Sequence, residues 1–357
     1  MTNLRSALLM SAVALSAGTM ATVSAPAQAQ TVAISGAGAT FPNPVFQIWF
    51  DTYSTTVDTN VQVSYQSVGS GAGLEQYING TVDFGASEAP MNAENNTARF
   101  ESFVAAYDYE PLQLPIVGGA VVFAHNIPDI GDGELQLRRE TYCGIVTGEI
   151  DNWSDIRIKA ENPSLTMPDL PITFVHRSDG SGTTFVFTNH VNAVCEGWEG
   201  GVGTSVEWPQ TGGFIGGEGN EGVAANIAAE EGAIGYVNQA YAVIEEMNTI
   251  AIENAAGNYV VATLENASSA LDTEIPEDFA LLVPDPQGAE DYPIVGLAWV
   301  MVYRNYEDPA KLEALRELLK WTQSADGNAL AEELNYVVMP PSVVDRINAE
   351  LDAITAN

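Results

Sequence analysis

Arg177-Ser178-Asp179-Gly180-Ser181-Gly182-Thr183-Thr184 sets one cation beside glycines and a cluster of hydroxyls. A turn of this composition leaves several backbone N–H groups unpaired and aimed at one point, where an anion is favoured. Arg177 is the only Lys or Arg between Lys159 and Arg304. In an acidic chain such a cation points to a bound anion, although an ordinary surface turn pairing Arg177 with Asp179 accounts for the same residues. Two more stretches carry the same chemistry, Gly36-Ala37-Gly38-Ala39-Thr40-Phe41-Pro42 and Gln66-Ser67-Val68-Gly69-Ser70-Gly71-Ala72-Gly73. Other chemistries fit poorly. His176 lies near Ser178 and Ser181, but the G-x-S-x-G elbow of a nucleophilic serine is absent. Cys143 and Cys195 with His125, His176 and His190 make no metal-ligand spacing. G-x-G-x-x-G lacks its last glycine and no G-K-[ST] occurs, so neither nucleotide fingerprint is present.

Each glycine turn follows a strand pattern and precedes a helix pattern. Leu170 to Val175 is apolar and β-branched, and Phe185, Val186, Val191 and Val194 have helical spacing. Thr31 to Ser35 reads as a short strand, with Val45, Phe46 and Trp49 on a following helix that Thr40 would cap. Val61 to Tyr65 alternates as a strand, Ser70 is placed as a cap, and Leu74, Tyr77 and Ile78 open a helix. Thr81 to Gly85 is a further strand that delivers the carboxylate of Glu88 at its end. Three strand–turn–helix units describe an α/β protein, in which helix N-termini gather at the carboxyl ends of strands and ligands bind there.

The chain has 357 residues, 46% hydrophobic and 17% charged, enough for two cored domains. Its 47 acids against 12 Lys plus Arg give a formal charge of −35, which disfavours nucleic acid and anionic membranes as partners. Residues 1–29 read as a signal peptide: Arg5, an apolar run from Ala7 to Leu15, and Ala27-Gln28-Ala29. Cleavage is expected before Gln30, and with no cysteine near the cut the product is not a lipoprotein. Two cysteines in an exported chain are expected to pair, Cys143 with Cys195, buried free thiols being the alternative.

The segments Gly36–Pro42, Tyr65–Met91, Val175–Thr188 and Gly219–Ala242 resemble, in order, the signature blocks of the periplasmic phosphate-binding family that serves phosphate-specific ABC transporters. The resemblance implies a two-lobed type II periplasmic binding protein fold, α/β, with two hinge crossovers. It implies a phosphate site in which Thr40 and Phe41 give backbone N–H groups, with a hydroxyl from Thr40, and Ser70 gives hydroxyl and backbone. Arg177 would be the one cationic ligand, steadied by Asp179, and Ser181, Gly182 and Thr183 the donors of the second lobe. Glu88 falls where the family block G-A-S-D-A-P carries aspartate, the residue credited with accepting the phosphate proton. The implied function is capture of inorganic phosphate and delivery to ABC permease subunits by a periplasmic monomer with no cofactor and no enzymatic activity. Arsenate binding and an exported phosphatase-like enzyme are the alternatives. Charge-assisted hydrogen bonds contribute about 1.5–3 kcal/mol each, so seven or eight could offset dehydration of the anion.

On this reading residues 30–114 begin the first lobe, 115–292 form the second, and 293–357 return to the first. The runs Leu112–Ala124 and Tyr292–Tyr303 are the crossovers. Residues 91–110 read as polar and loose, and 247–290 as exposed loop and edge strand. The glycine-led block from Gly219 to Ile227 reads as a helix whose acids make it pack rather than touch the anion. Trp153 and Trp208 are expected in the core. Leu312, Leu315, Leu318, Leu319 and Trp321 mark an amphipathic helix whose Lys311, Arg316 and Lys320 form a solvated face.

Overall fold

The computed structural model describes residues 31–210 and 213–356; the expected signal peptide lies outside them. The first half of the main sheet comes from β1 (Val32–Gly38), β2 (Val61–Ser67) and β3 (Phe84–Ser87), interleaved with α1 (Asn43–Thr52), α2 (Gly69–Ile78) and α3 (Thr97–Tyr107). The chain then enters β4 (Leu112–His125), every residue of which is buried. That is why it reads as one apolar run: both faces are covered. Beyond it come β5 (Gln136–Leu137), α4 (Arg139–Val146), α5 (Ile156–Glu161), β6 (Thr173–Arg177) and α6 (Gly182–Val194). They are followed by β7 (Phe214–Gly217), α7 (Gly219–Ala229), β8 (Ala233–Asn238), α8 (Gln239–Ile244) and β9 (Asn248–Thr249). A small outer sheet takes β10 (Ala251–Glu253) and β11 (Tyr259–Val260) beside β5, and α9 (Leu264–Leu271) follows. β12 (Val295–Val302) re-enters the main sheet before β13 (Asn305–Tyr306), α10 (Pro309–Thr322), α11 (Ala325–Glu332), α12 (Pro341–Ala353) and β14 (Thr355–Ala356).

The main sheet runs β2-β1-β3-β12-β4-β8-β6-β7, with β9 on β4. β1, β2 and β3 are parallel, as are β6, β7 and β8, so each half is a strand–helix wind. β4 joins them. Its residues Leu112–Ala120 pair antiparallel with β12, and Val121–His125 with β8. The parallel strands thus end near one another, and α2 and α6 start there.

Several local expectations shift. β6 begins at Thr173 rather than Leu170. Thr40 is not a helix cap; Pro42 occupies that position without a side-chain bond, and the Thr40 hydroxyl is taken by Asn220 instead. Ser70 is not a cap either, because α2 starts at Gly69 and absorbs the glycine run. Gly69 tolerates φ +82, where a Cβ would lie 2.2 Å from Asp179 Oδ2. Residues 91–110 contain α3, with Phe103 on its buried side, and 247–290 contain α9, held by its Thr263 cap. Lys311, Arg316 and Lys320 are not simply solvated: they pair with Asp83, Glu313 and Asp352 at 2.8, 2.8 and 2.6 Å. Trp153 and Trp208 are buried. Cys143, in α4, is disulfide-bonded to Cys195, the residue that ends α6, with Cα atoms 5.3 Å apart. No helix among the described residues is long and apolar enough to cross a membrane.

Candidate functional site

Arg177 is the last residue of β6, and its side chain is 1% exposed. The turn that follows folds Asp179 back onto it: Nε donates to Oδ1 at 2.7 Å and Nη2 to Oδ2 at 2.5 Å. The pairing competes with burial and wins on both partners. Burial alone would lower the Arg177 pKa and raise that of Asp179, but the paired charges hold arginine above its ordinary value and aspartate below. Gly219 N–H donates to Asp179 at 3.1 Å, which ties α7 to the same pair. The fork leaves Nη1, which lies 3.4 Å from Thr183 Oγ1.

α6 starts immediately beside that guanidinium. Ser181 is its N-cap and accepts from Thr184 N–H at 3.0 Å, which leaves its own O–H to donate. Gly182 follows because nothing larger fits. A Cβ there would lie 2.1 Å from Glu88 Oε2 and 2.6 Å from Ser70 Oγ. Gly182 N–H donates to Ser70 Oγ at 3.0 Å, and Gly71 N–H to Gly180 O at 2.8 Å, so the first turns of α2 and α6 abut.

Glu88 follows β3 and lies between them, 1% exposed. Its Oε2 accepts Ser70 Oγ–H at 2.9 Å and its Oε1 accepts Thr183 Oγ1–H at 3.1 Å. Burial pushes its pKa up to about 7, against the opposing pull of Ser70, Arg177 and Thr183. Thr40 and Phe41 complete the circle from the β1–α1 turn, both buried. Tyr241 OH donates to Thr40 O at 2.7 Å and Tyr336 OH to Phe41 O at 2.5 Å, which fixes both carbonyls. Among the described residues, the N–H groups of Thr40, Phe41 and Thr183 have no backbone partner.

Thr40, Phe41, Ser70, Glu88, Arg177, Ser181, Gly182 and Thr183, with Asp179 behind, are therefore assembled from three glycine turns and one strand end. Asn220 belongs with them and was missed. It lies at the start of α7, fully buried, and its Nδ2 donates to Thr40 Oγ1 at 2.7 Å and Thr183 Oγ1 at 3.2 Å. The acids of that block, Glu218 and Glu221, obscured it. Its glycine-led opening was the same signal that marked the other turns. His176 takes no part: its ring stacks on Trp208 and its Nδ1 lies 2.9 Å from Arg177 O. Chemically, the arrangement offers one guanidinium, several neutral donors and one carboxylate in a water-poor space. Among the described residues no group of three or more His, Cys, Asp or Glu could hold a metal.

The PBP superfamily domain model matches residues 24–326. A solved high-affinity periplasmic phosphate-binding protein, bound with phosphate, superposes with a TM-score of 0.72 at 22% identity, covering 89% of this chain and 93% of that one. The phosphate-binding protein from Stenotrophomonas maltophilia gives 0.67 at 17% identity, again covering 89% and 93%. The fold is that of the two-lobed periplasmic binding proteins. In sequence, "Phosphate-binding protein PstS" of Xylella fastidiosa (strain 9a5c) is 37% identical over 327 residues, 90% of this chain and 85% of its own length. The protein of that name from Pasteurella multocida (strain Pm70) is 36% identical over 328 residues, 90% of each. The archaeal one from Methanocaldococcus jannaschii is 34% identical over 335 residues, 88% of this chain and 84% of its own. The chain belongs to the PstS phosphate-binding protein family.

Proposed function

We propose that this chain captures inorganic phosphate outside the cytoplasmic membrane and delivers it to the permease subunits of an ABC importer. The observation that carries the reading is the convergence of the α2 and α6 first turns and the Thr40–Phe41 turn on one buried arginine and one buried carboxylate. Backbone donors and hydroxyls replace the hydration of a dianion one by one, while a single guanidinium supplies charge without making the site indiscriminately cationic. In this scheme Thr40 and Phe41 donate through backbone N–H, Ser70, Ser181 and Thr183 through hydroxyls, and Gly182 and Thr183 through the α6 N-terminus. Arg177 binds through its free Nη1 edge, with Asp179 fixing the other edge. Glu88 accepts the proton that phosphate keeps near neutral pH, and it repels sulfate, which has none to offer.

The lobes are residues 30–114 with 293–357, and 115–292, connected through β4 and β12. The N-terminal segment directs export, is cleaved before Gln30, and leaves a monomer. The disulfide supports an oxidising destination. The role is binding rather than catalysis, because the site offers no activated nucleophile. Calorimetric titration of the mature chain with phosphate and then sulfate tests the reading. Tight phosphate binding with sulfate silent is expected; no heat with phosphate, or equal binding of both, would refute it.

A further inference from the structure

Glu88 leaves β3 where α2 and α6 meet, and both of its oxygens are in use. Ser70 donates to one and Thr183 to the other, at 2.9 and 3.1 Å. The carboxylate lies against the first turn of α6, so close that Gly182 has no room for a Cβ. Arg177, through Nη1, is on the far side of Thr183 Oγ1 at 3.4 Å. An anion thus already sits among two hydroxyls, a helix N-terminus and a guanidinium, the very donors that phosphate would use. A hydroxyl has one proton to give. The Ser70 and Thr183 protons cannot serve Glu88 and phosphate together.

We propose that Glu88 is a built-in competitor for the anion site, which an incoming oxyanion must displace from Ser70 and Thr183. This rests on the phosphate reading and adds to it a cost in affinity. Displacement has two requirements. The newcomer must be a better acceptor than a carboxylate, and it must satisfy the ousted group. Glu88 is 1% exposed, so it has no path into water and stays in the site as a dehydrated acceptor. Phosphate bearing a proton meets both requirements, because it takes the hydroxyls and donates to Glu88. Sulfate meets only the first. Glu88 therefore lowers the affinity for phosphate.

A double-mutant cycle on Glu88 and Thr183 tests this at pH 8, read by phosphate titration. Glu88→Asp shortens the side chain by about 1.5 Å, which releases at least one hydroxyl. Phosphate binding is expected to tighten about tenfold, the equivalent of one charge-assisted hydrogen bond recovered. Thr183→Val should weaken binding only a few-fold in the wild-type background, about the size of a neutral exchange. In the E88D background the same change should cost about tenfold or more, since there the hydroxyl is free for phosphate. Equal costs in the two backgrounds, or binding by E88D no tighter than wild type, would overturn the proposal. Circular dichroism checks each fold, and Glu88→Ala replaces E88D in the cycle if that variant does not fold. Wild-type protein that binds no phosphate would overturn the phosphate reading and this proposal with it. Wild-type binding with an additive cycle would overturn this proposal alone.

Discussion

Burial of Glu88 has a consequence for stability that can be separated from ligand binding by substituting Glu88→Gln. The folded-state pKa is raised from 4.5 to about 7, with burial as the main cause. Below pH 4.5 the carboxyl is protonated in folded and unfolded chains alike and stability does not depend on it. Between 4.5 and 7 the unfolded chain sheds the proton while the folded one keeps it, so folded-state stability falls as pH rises. Above 7 both states are ionised and the full cost is present. At ~1.4 kcal/mol per pH unit, that window corresponds to about 3 kcal/mol. Glutamine is neutral throughout and can still accept from Ser70 or Thr183. The unfolding free energy of E88Q minus that of wild type should therefore be level below pH 4.5, climb through the window, and plateau about 3 kcal/mol higher by pH 8. Urea unfolding in phosphate-free buffer at pH 5, 6, 7 and 8 gives the difference, and other titrating groups cancel in the subtraction. A difference that stays flat across that range would mean that Glu88 is not held dehydrated in the folded chain, and the argument from burial would fail.

Two further expectations follow from the same structure. Arg177→Ala should lose about 2–5 kcal/mol of phosphate binding, because it leaves the half-buried Asp179 without its partner and removes the one cation at the site; near-normal calorimetric affinity in a folded variant would take Arg177 out of the site. Reducing Cys143–Cys195 opens a cross-link spanning 52 residues and should cost about 4 kcal/mol, read as a lower unfolding midpoint under reducing agent, with no thiol titrated in the denatured, unreduced chain; two free thiols would refute the bond.

The parts of the candidate site were legible because they are local. Each glycine turn lies between a strand pattern and a helix pattern, and the hydroxyls and Arg177 sit inside those turns. What the turns do to one another was not legible. Ser70 and Thr40 look like caps in sequence because short hydroxyl residues before apolar runs usually are, and only packing shows them facing across to Glu88 and Asn220. Asn220 itself carries no charge or pattern of its own. It follows Gly219, whose φ is +69 at the start of α7. The fold class followed from the alternation of periods, while α3 was lost to its polar setting, although Phe100, Phe103 and Tyr107 keep helical spacing. The lysines of α10 looked solvated because their partners, Asp83 and Asp352, are far away in sequence, whereas Arg316 pairs with Glu313 on the same helix.

β12 has one more implication, for the order in which the molecule can be made. It lies between β3 and β4, and its ladder with β4 runs from Val295 to Val302. Until residue 302 has been synthesised, β3 has no neighbour on that side and Leu112–Ala120 of β4 have no strand partner. α10, which packs on β1, comes later still. A nascent chain that stops before Val295 therefore holds β1, β2 and β3 as one group of strands and β4, β8, β6 and β7 as another, without the strand that bridges them between β3 and β4. Its long-range pairings close last, which makes folding a slow, end-of-synthesis event with exposed strand edges until then. A chain that stops short of β12 would have every residue of the candidate anion site in its sequence and an unbridged sheet to hold it.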